Sequence, residues 1–151
     1  GHGGQSDRER STWTVTNAKG LNSNFNATPG IVDIFPTVAR HMDIHIPKEQ
    51  AFEVDGIPFT GRLSVTAPVV RKSGGKAAIS WKAVEKEGKV KIWLTTTNHF
   101  EKGGRDLYYL MDEVDVTNEK AEIDIAKYPS GFFKIVLEGK YNSVNRWIVE
   151  K

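Results

Sequence analysis

The hydrophobic and polar positions follow two different rhythms along the chain, and the change falls near residue 62. From there to the end, apolar side chains alternate with polar ones. Leu63-Ser64-Val65-Thr66-Ala67 alternates, as does the stretch 77–84 around Ile79 and Trp81. Lys89-Val90-Lys91-Ile92-Trp93-Leu94 places charge on one side and apolar side chains on the other. Tyr108 to Met111 leads into Val114-Asp115-Val116, and the runs 121–125, 132–138 and 143–149 follow. A period of two is the signature of strands with one face in a core. Turn signals such as Gly74-Gly75, Glu87-Gly88, Gly103-Gly104 and Tyr128-Pro129-Ser130-Gly131 separate these runs. Seven short strands at this spacing predict a two-sheet sandwich. Without a cysteine pair it resembles a fibronectin type III domain more than an antibody domain. Trp81, Trp93 and Trp147 are expected to supply much of the core area.

The first part has a different texture. Ser11-Thr12-Trp13-Thr14-Val15-Thr16 is β-branched and aromatic and predicts a strand. Residues 17–30 are rich in Asn and Gly and read as a loop. Ile31, Ile34, Phe35, Val38, Ala39 and Met42 then fall on one helical stripe. Asp33 is the expected N-cap, with Pro36 in the first turn and Pro47 blocking continuation. One strand and one amphipathic helix leave that stripe nothing to pack on. The predicted fold is thus mainly β: a seven-stranded fibronectin/Ig-like sandwich over 62–151, preceded by a small α/β remnant over 1–61.

Composition narrows the function classes. Hydrophobic content of 38% and charged content of 26% describe a globular chain. The 21 basic and 19 acidic residues are interspersed, so no nucleic-acid surface is expected. No apolar run has membrane-spanning length. The absence of cysteine excludes disulfides and thiolate metal sites. The missing start Met and signal peptide suggest a processed, excised or engineered chain. Asn26-Ala27-Thr28 is a single glycosylation sequon.

Two motifs carry a resemblance. Gly1-His2-Gly3-Gly4, followed by 5–13, and then Ile31-Val32-Asp33-Ile34-Phe35-Pro36-Thr37, occur in that order and spacing. Asp55-Gly56 before Pro58 adds a third element. Together they resemble the last part of the catalytic domain of the alkaline phosphatase superfamily, which includes type I phosphodiesterases, nucleotide pyrophosphatases and sulfatases. The resemblance implies that His2 is a metal ligand, for zinc in a two-metal hydrolase, with glycines letting the backbone pass close to the ion. The nucleophile and other ligands would lie in a preceding portion, so this chain alone is expected to be catalytically silent. The competing reading makes Gly1-His2 a cloning scar. The 80 residues after about 71 look like sandwich modules appended to secreted phosphatases and phosphodiesterases, which implies a periplasmic or secreted location.

Other constellations read blandly. Asp7, Arg8, Glu9 and Arg10 form a solvated loop with local ion pairs. His41 and His45 have helical metal-pair spacing, but Pro47 follows closely and no H-E-x-x-H carboxylate lies between them, so they are read as non-ligands. His99 is a loop residue. Trp13, Tyr108, Tyr109, Tyr128 and Tyr141 could bind sugar if exposed together, which frames the alternative function: a standalone extracytoplasmic sandwich module binding carbohydrate or protein. The two readings differ in what the helix stripe faces. A fragment leaves it exposed, for the missing N-terminal catalytic portion or for self-association through 31–42. A standalone module packs it on the sandwich.

Overall fold

The computed structural model describes residues 6, 11, 13–27 and 29–149. The described residues are mainly β, with seven strands in two antiparallel sheets. β1 (Val65–Ser73), β2 (Lys76–Ala83) and β5 (Lys120–Asp124) form one sheet in the order β1-β2-β5. β4 (Tyr109–Asp115), β3 (Lys89–Thr95), β6 (Phe132–Glu138) and β7 (Ser143–Val149) form the other, in that order. The connections from β2 to β3, β4 to β5 and β5 to β6 change sheet, giving the Greek-key wiring of a fibronectin/Ig-like sandwich.

The core lies where the alternation places it. Val90, Ile92 and Leu94 of β3 meet Phe133, Ile135 and Leu137 of β6, with Ala77, Ile79 and Trp81 of β2 opposite. Trp81 is 5% exposed and its indole N–H donates to the Val116 carbonyl at 2.8 Å. The buried indole thus has the partner it needs.

Several expectations are corrected. β1 runs well beyond Ala67, past Pro68, with a register shift between Thr66 and Val69. Pro68 ends the simple alternation but is tolerated because β1 is the outer strand of its sheet. Trp93 and Trp147 are not in the core. Both lie on the outer face of the four-stranded sheet, where Trp93 is half-buried and Trp147 is 57% exposed. Alternation identifies two faces, and these indoles are on the second. No strand forms over the described residues of 11–16. Trp13 and Val15 are exposed there, and propensity without a pairing edge makes no strand.

Residues 48–63 lie close against the sandwich. β6 is buried on both faces except at its ends, because this segment covers its outward side chains. The short helix α2 (Lys48–Ala51) leads into Phe52, which packs at 5.8 Å from the Trp93 ring and 5.0 Å from Tyr108. The Asn145 amide donates to the carbonyls of Phe52 and Val54. Phe52, Phe59 and Leu63 are each 4% exposed or less. The boundary drawn at 61/62 therefore falls within a stretch that contacts both parts of the chain.

Candidate functional site

Upstream of that segment, a 3-10 turn (Ile31–Asp33) runs directly into helix α1 (Ile34–His41), as the stripe predicts. Its start is built differently from expectation. Asp33 stands at the N-cap position but its side chain caps nothing in α1. One carboxylate oxygen accepts from the Gly30 N–H at 2.8 Å and the other from the Ile57 N–H at 2.6 Å. The carboxylate thus ties the turn to residue 57, and it is buried because it makes that tie. Thr37 repeats the device: its hydroxyl donates to the Asp33 carbonyl and accepts from the Phe59 N–H at 2.8 Å. Gly56 allows the close approach. A Cβ there would stand 2.0 Å from the Val32 carbonyl oxygen.

The inner face of α1 is small and polar. Pro36 and Ala39 are buried. Arg40 donates to the carbonyls of Thr60 at 2.7 Å, Arg62 at 2.9 Å and Tyr141 at 2.6 Å. Burial lowers the guanidinium's pKa from its ordinary value, and three carbonyls offset that cost. The Asn-rich loop extends the zipper. Asn22 and Asn24 donate from their amides to the carbonyls of Pro58, Gly61 and Ile57, and Leu21 bridges Thr60.

The outer face of α1 is apolar and faces solvent. Ile31 is 74% exposed, Phe35 60% and Met42 62%, with Val32, Ile34, Val38 and Ile44 beside them also exposed. Scattered exposed apolar residues are normal, but here they gather in one short segment and form an apolar patch. Next to it, Phe35, Val38, Ile44 and Pro47 rim a small cleft of about 190 Å³. A larger cleft of about 340 Å³ runs between α1, residues 43–46 and Tyr141.

His2 lies outside the described residues, as do Asp7, Arg8, Glu9 and Arg10, and Thr28 of the sequon. Among the described residues, no three of His, Asp or Glu come together as a metal cluster. They offer no donor set that fits the zinc of the resemblance. His41, His45 and His99 are exposed. Among the described residues no helix is long and apolar enough to cross a membrane.

The aromatic candidates go separate ways. Trp13 is exposed on the N-terminal segment. Tyr108 packs on Phe52 and donates its hydroxyl to Glu53. Tyr109 pairs with Tyr128 at 5.1 Å, and Tyr141 stacks under Arg62 at 4.1 Å. Burial first, and then the neighbouring Glu53 carboxylate, raise the Tyr108 phenol far above its usual range. The loop before it is organised by Asp106, which accepts from the Thr97 hydroxyl and the N–H groups of His99 and Phe100. Burial alone would raise this carboxyl, but these bonds outweigh it and hold it below the ordinary range. Sequence reasoning passed over Asp106, whose partners lie within nine residues in the same loop, and Asn145 and Lys134, whose roles depend on contacts far along the chain. Comparison with protein-family models, curated proteins and solved structures finds no match.

Proposed function

We propose that this chain is the C-terminal part of a two-metal phosphohydrolase, a phosphatase or phosphodiesterase, carrying the end of its α/β catalytic domain and a fibronectin-like accessory sandwich. The chain acts in the periplasm or outside the cell and is inactive alone. The reading rests on the motifs at 1–13 and 31–37 and on one structural observation. The apolar stripe of Ile31, Ile34, Phe35, Val38 and Met42 faces solvent while the opposite side of α1 is docked. A helix with one docked side and one exposed apolar side suits a place between the sandwich and another layer. That layer is the preceding catalytic portion, and in its absence a second copy of this stripe takes its place. The chemistry belongs to the preceding portion, with His2 as this chain's contribution.

The test is hydrolysis of a phosphomonoester and a phosphodiester with Zn²⁺ and Mg²⁺. The protein encoded by the complete reading frame should turn over one of them and lose that activity with His2→Ala. The present chain should turn over neither. Zinc-dependent turnover by the present chain, abolished by His2→Ala, would refute the reading.

A second reading, a standalone extracytoplasmic binding module, draws on a different observation. Residues 48–63 cover the outward side of β6, as a segment wrapping its own domain would.

A further inference from the structure

On the outer face of the four-stranded sheet, a lysine ammonium stands in an aromatic corner. Lys48, the first residue of α2, holds its Nζ 4.3 Å from the centre of the Trp93 ring and 5.3 Å from that of Phe52. Both are within the roughly 6 Å over which a ring face attracts a cation. The third wall is a carboxylate, with Glu138 Oε1 3.0 Å from the same nitrogen. Two aromatic walls and one anion make a site for an ammonium group, and Lys48 fills it.

The walls are set by other parts of the fold. Trp93 and Glu138 stand on adjacent strands, β3 and β6, whose pairing puts Trp93 opposite Val136 and Lys91 opposite Glu138. The indole N–H donates to the second Glu138 oxygen at 2.7 Å, so ring and carboxylate hold each other in place. Phe52 is 4% exposed and packs against both Trp93 and Tyr108. Lys91, the neighbouring cation on this face, lies 3.9 Å from Glu113 and leaves Glu138 to Lys48. The occupant is held far more loosely than the walls. Its side chain is 51% exposed at the end of a flexible stem, and an ion pair that open to water contributes little to stability.

We infer that this corner is a binding site for a quaternary ammonium group, and that Lys48 is an internal occupant which the ligand displaces. A primary ammonium is compact and strongly hydrated, so it gives up much to sit against two rings. A trimethylammonium spreads the same charge over an apolar surface and gains more from Trp93 and Phe52. Its charge keeps Glu138 as a partner, while Lys48 moves into the solvent that already reaches half of its side chain. This site does not depend on the hydrolase reading, because all of its residues are in the present chain.

The experiment titrates wild type and Lys48→Ala with choline, followed by calorimetry and tryptophan fluorescence. The uncharged tert-butyl analogue of choline is the control. Choline should bind the wild type weakly and Lys48→Ala roughly tenfold more tightly, because no internal ammonium then competes. In the Lys48→Ala background, Glu138→Gln should weaken choline roughly tenfold and leave the neutral analogue unaffected. Trp93→Leu in that background should abolish choline binding, with far-ultraviolet circular dichroism confirming that the sheets remain. Co-sedimentation with phosphatidylcholine vesicles separates the two sources of the group: pelleting assigns the corner to a lipid head group, and choline binding without pelleting assigns it to a soluble ligand. Absence of saturable choline binding to Lys48→Ala would overturn the inference. So would equal binding of the neutral analogue, or equal choline affinity in wild type and Lys48→Ala.

Discussion

Glu53 and Lys134, 81 residues apart, form an ion pair in which both side chains are more than nine-tenths buried. Lys134 points outward from β6, where alternation makes a lysine unremarkable. It is buried because Phe52, Glu53 and Tyr108 come down over it, and Tyr108 completes the group by donating to the same carboxylate. Breaking a buried pair by removing one partner leaves an uncompensated charge, at a cost of about 3–5 kcal/mol. Glu53→Leu or Lys134→Met should each lower stability by about that amount in urea denaturation. The double variant should recover much of the loss, because the space is then apolar on both sides. Additive losses would contradict the pairing.

Tyr108 gives the same contact a pH dependence. Its folded-state pKa is raised by burial and by the Glu53 carboxylate. A group raised on folding contributes stability that is complete below its unfolded value, about 10 for tyrosine, and is lost as pH rises towards the folded one. Stability should therefore fall as pH rises above about 10, and Tyr108→Phe should flatten that fall. The phenylalanine variant should lose about 1 kcal/mol near neutrality for the missing hydrogen bond. Thermal melts at neutral and alkaline pH, wild type against variant, supply the check.

The three sandwich tryptophans should respond unequally. Trp81→Ala opens a cavity in the core and should cost about 3–5 kcal/mol. Trp93 is half-buried, with its N–H on Glu138 at 2.7 Å and the Lys48 ammonium 4.3 Å from its ring, so its loss should be smaller. Trp147→Ala should change stability by about 0.5 kcal/mol or less, as for other exposed positions. Equal losses at all three in denaturant titrations would show that all three are core residues.

Much of this was legible in the chain, for identifiable reasons. β3 carries an alternation, and β6 and β7 are short runs rich in aromatic and β-branched residues bounded by turns, and all three form where the pattern put them. Helix α1 was legible because its apolar residues repeat at helical spacing. What alternation could not convey is which neighbour covers the outer face of a sheet. Lys134 and Trp147 lie on the same face, directly opposite each other across β6 and β7, yet one is buried and the other exposed. Asp33 looked like a cap because caps are local. Besides the nearby Gly30 N–H, its other partner, the Ile57 N–H, lies 24 residues away, and a single sequence does not show such a pairing.

Gly56 is the tightest point of the α1 docking. Gly56→Ala would force its Cβ into the Val32 carbonyl. The 3-10 turn and α1 should detach while the two sheets remain. Limited proteolysis should then cut between residues 30 and 47 much faster than in the wild type, with β-sheet circular dichroism preserved. Unchanged cleavage would mean that the contact does not hold the helix in place.

The claim at the centre of this account is that the outward face of α1 is an interface waiting for a partner. Burying one such side chain stabilises by about 1.5–3 kcal/mol, so five or more exposed together favour association strongly. Light scattering of the present chain across a concentration series, wild type against Phe35→Asp, tests this most directly. The account predicts a self-associating wild type and a more monomeric, more soluble Phe35→Asp variant with its sandwich intact. A wild type that is monomeric at every concentration, with Phe35→Asp unfolding the whole chain, would contradict it and make the helix part of the native core.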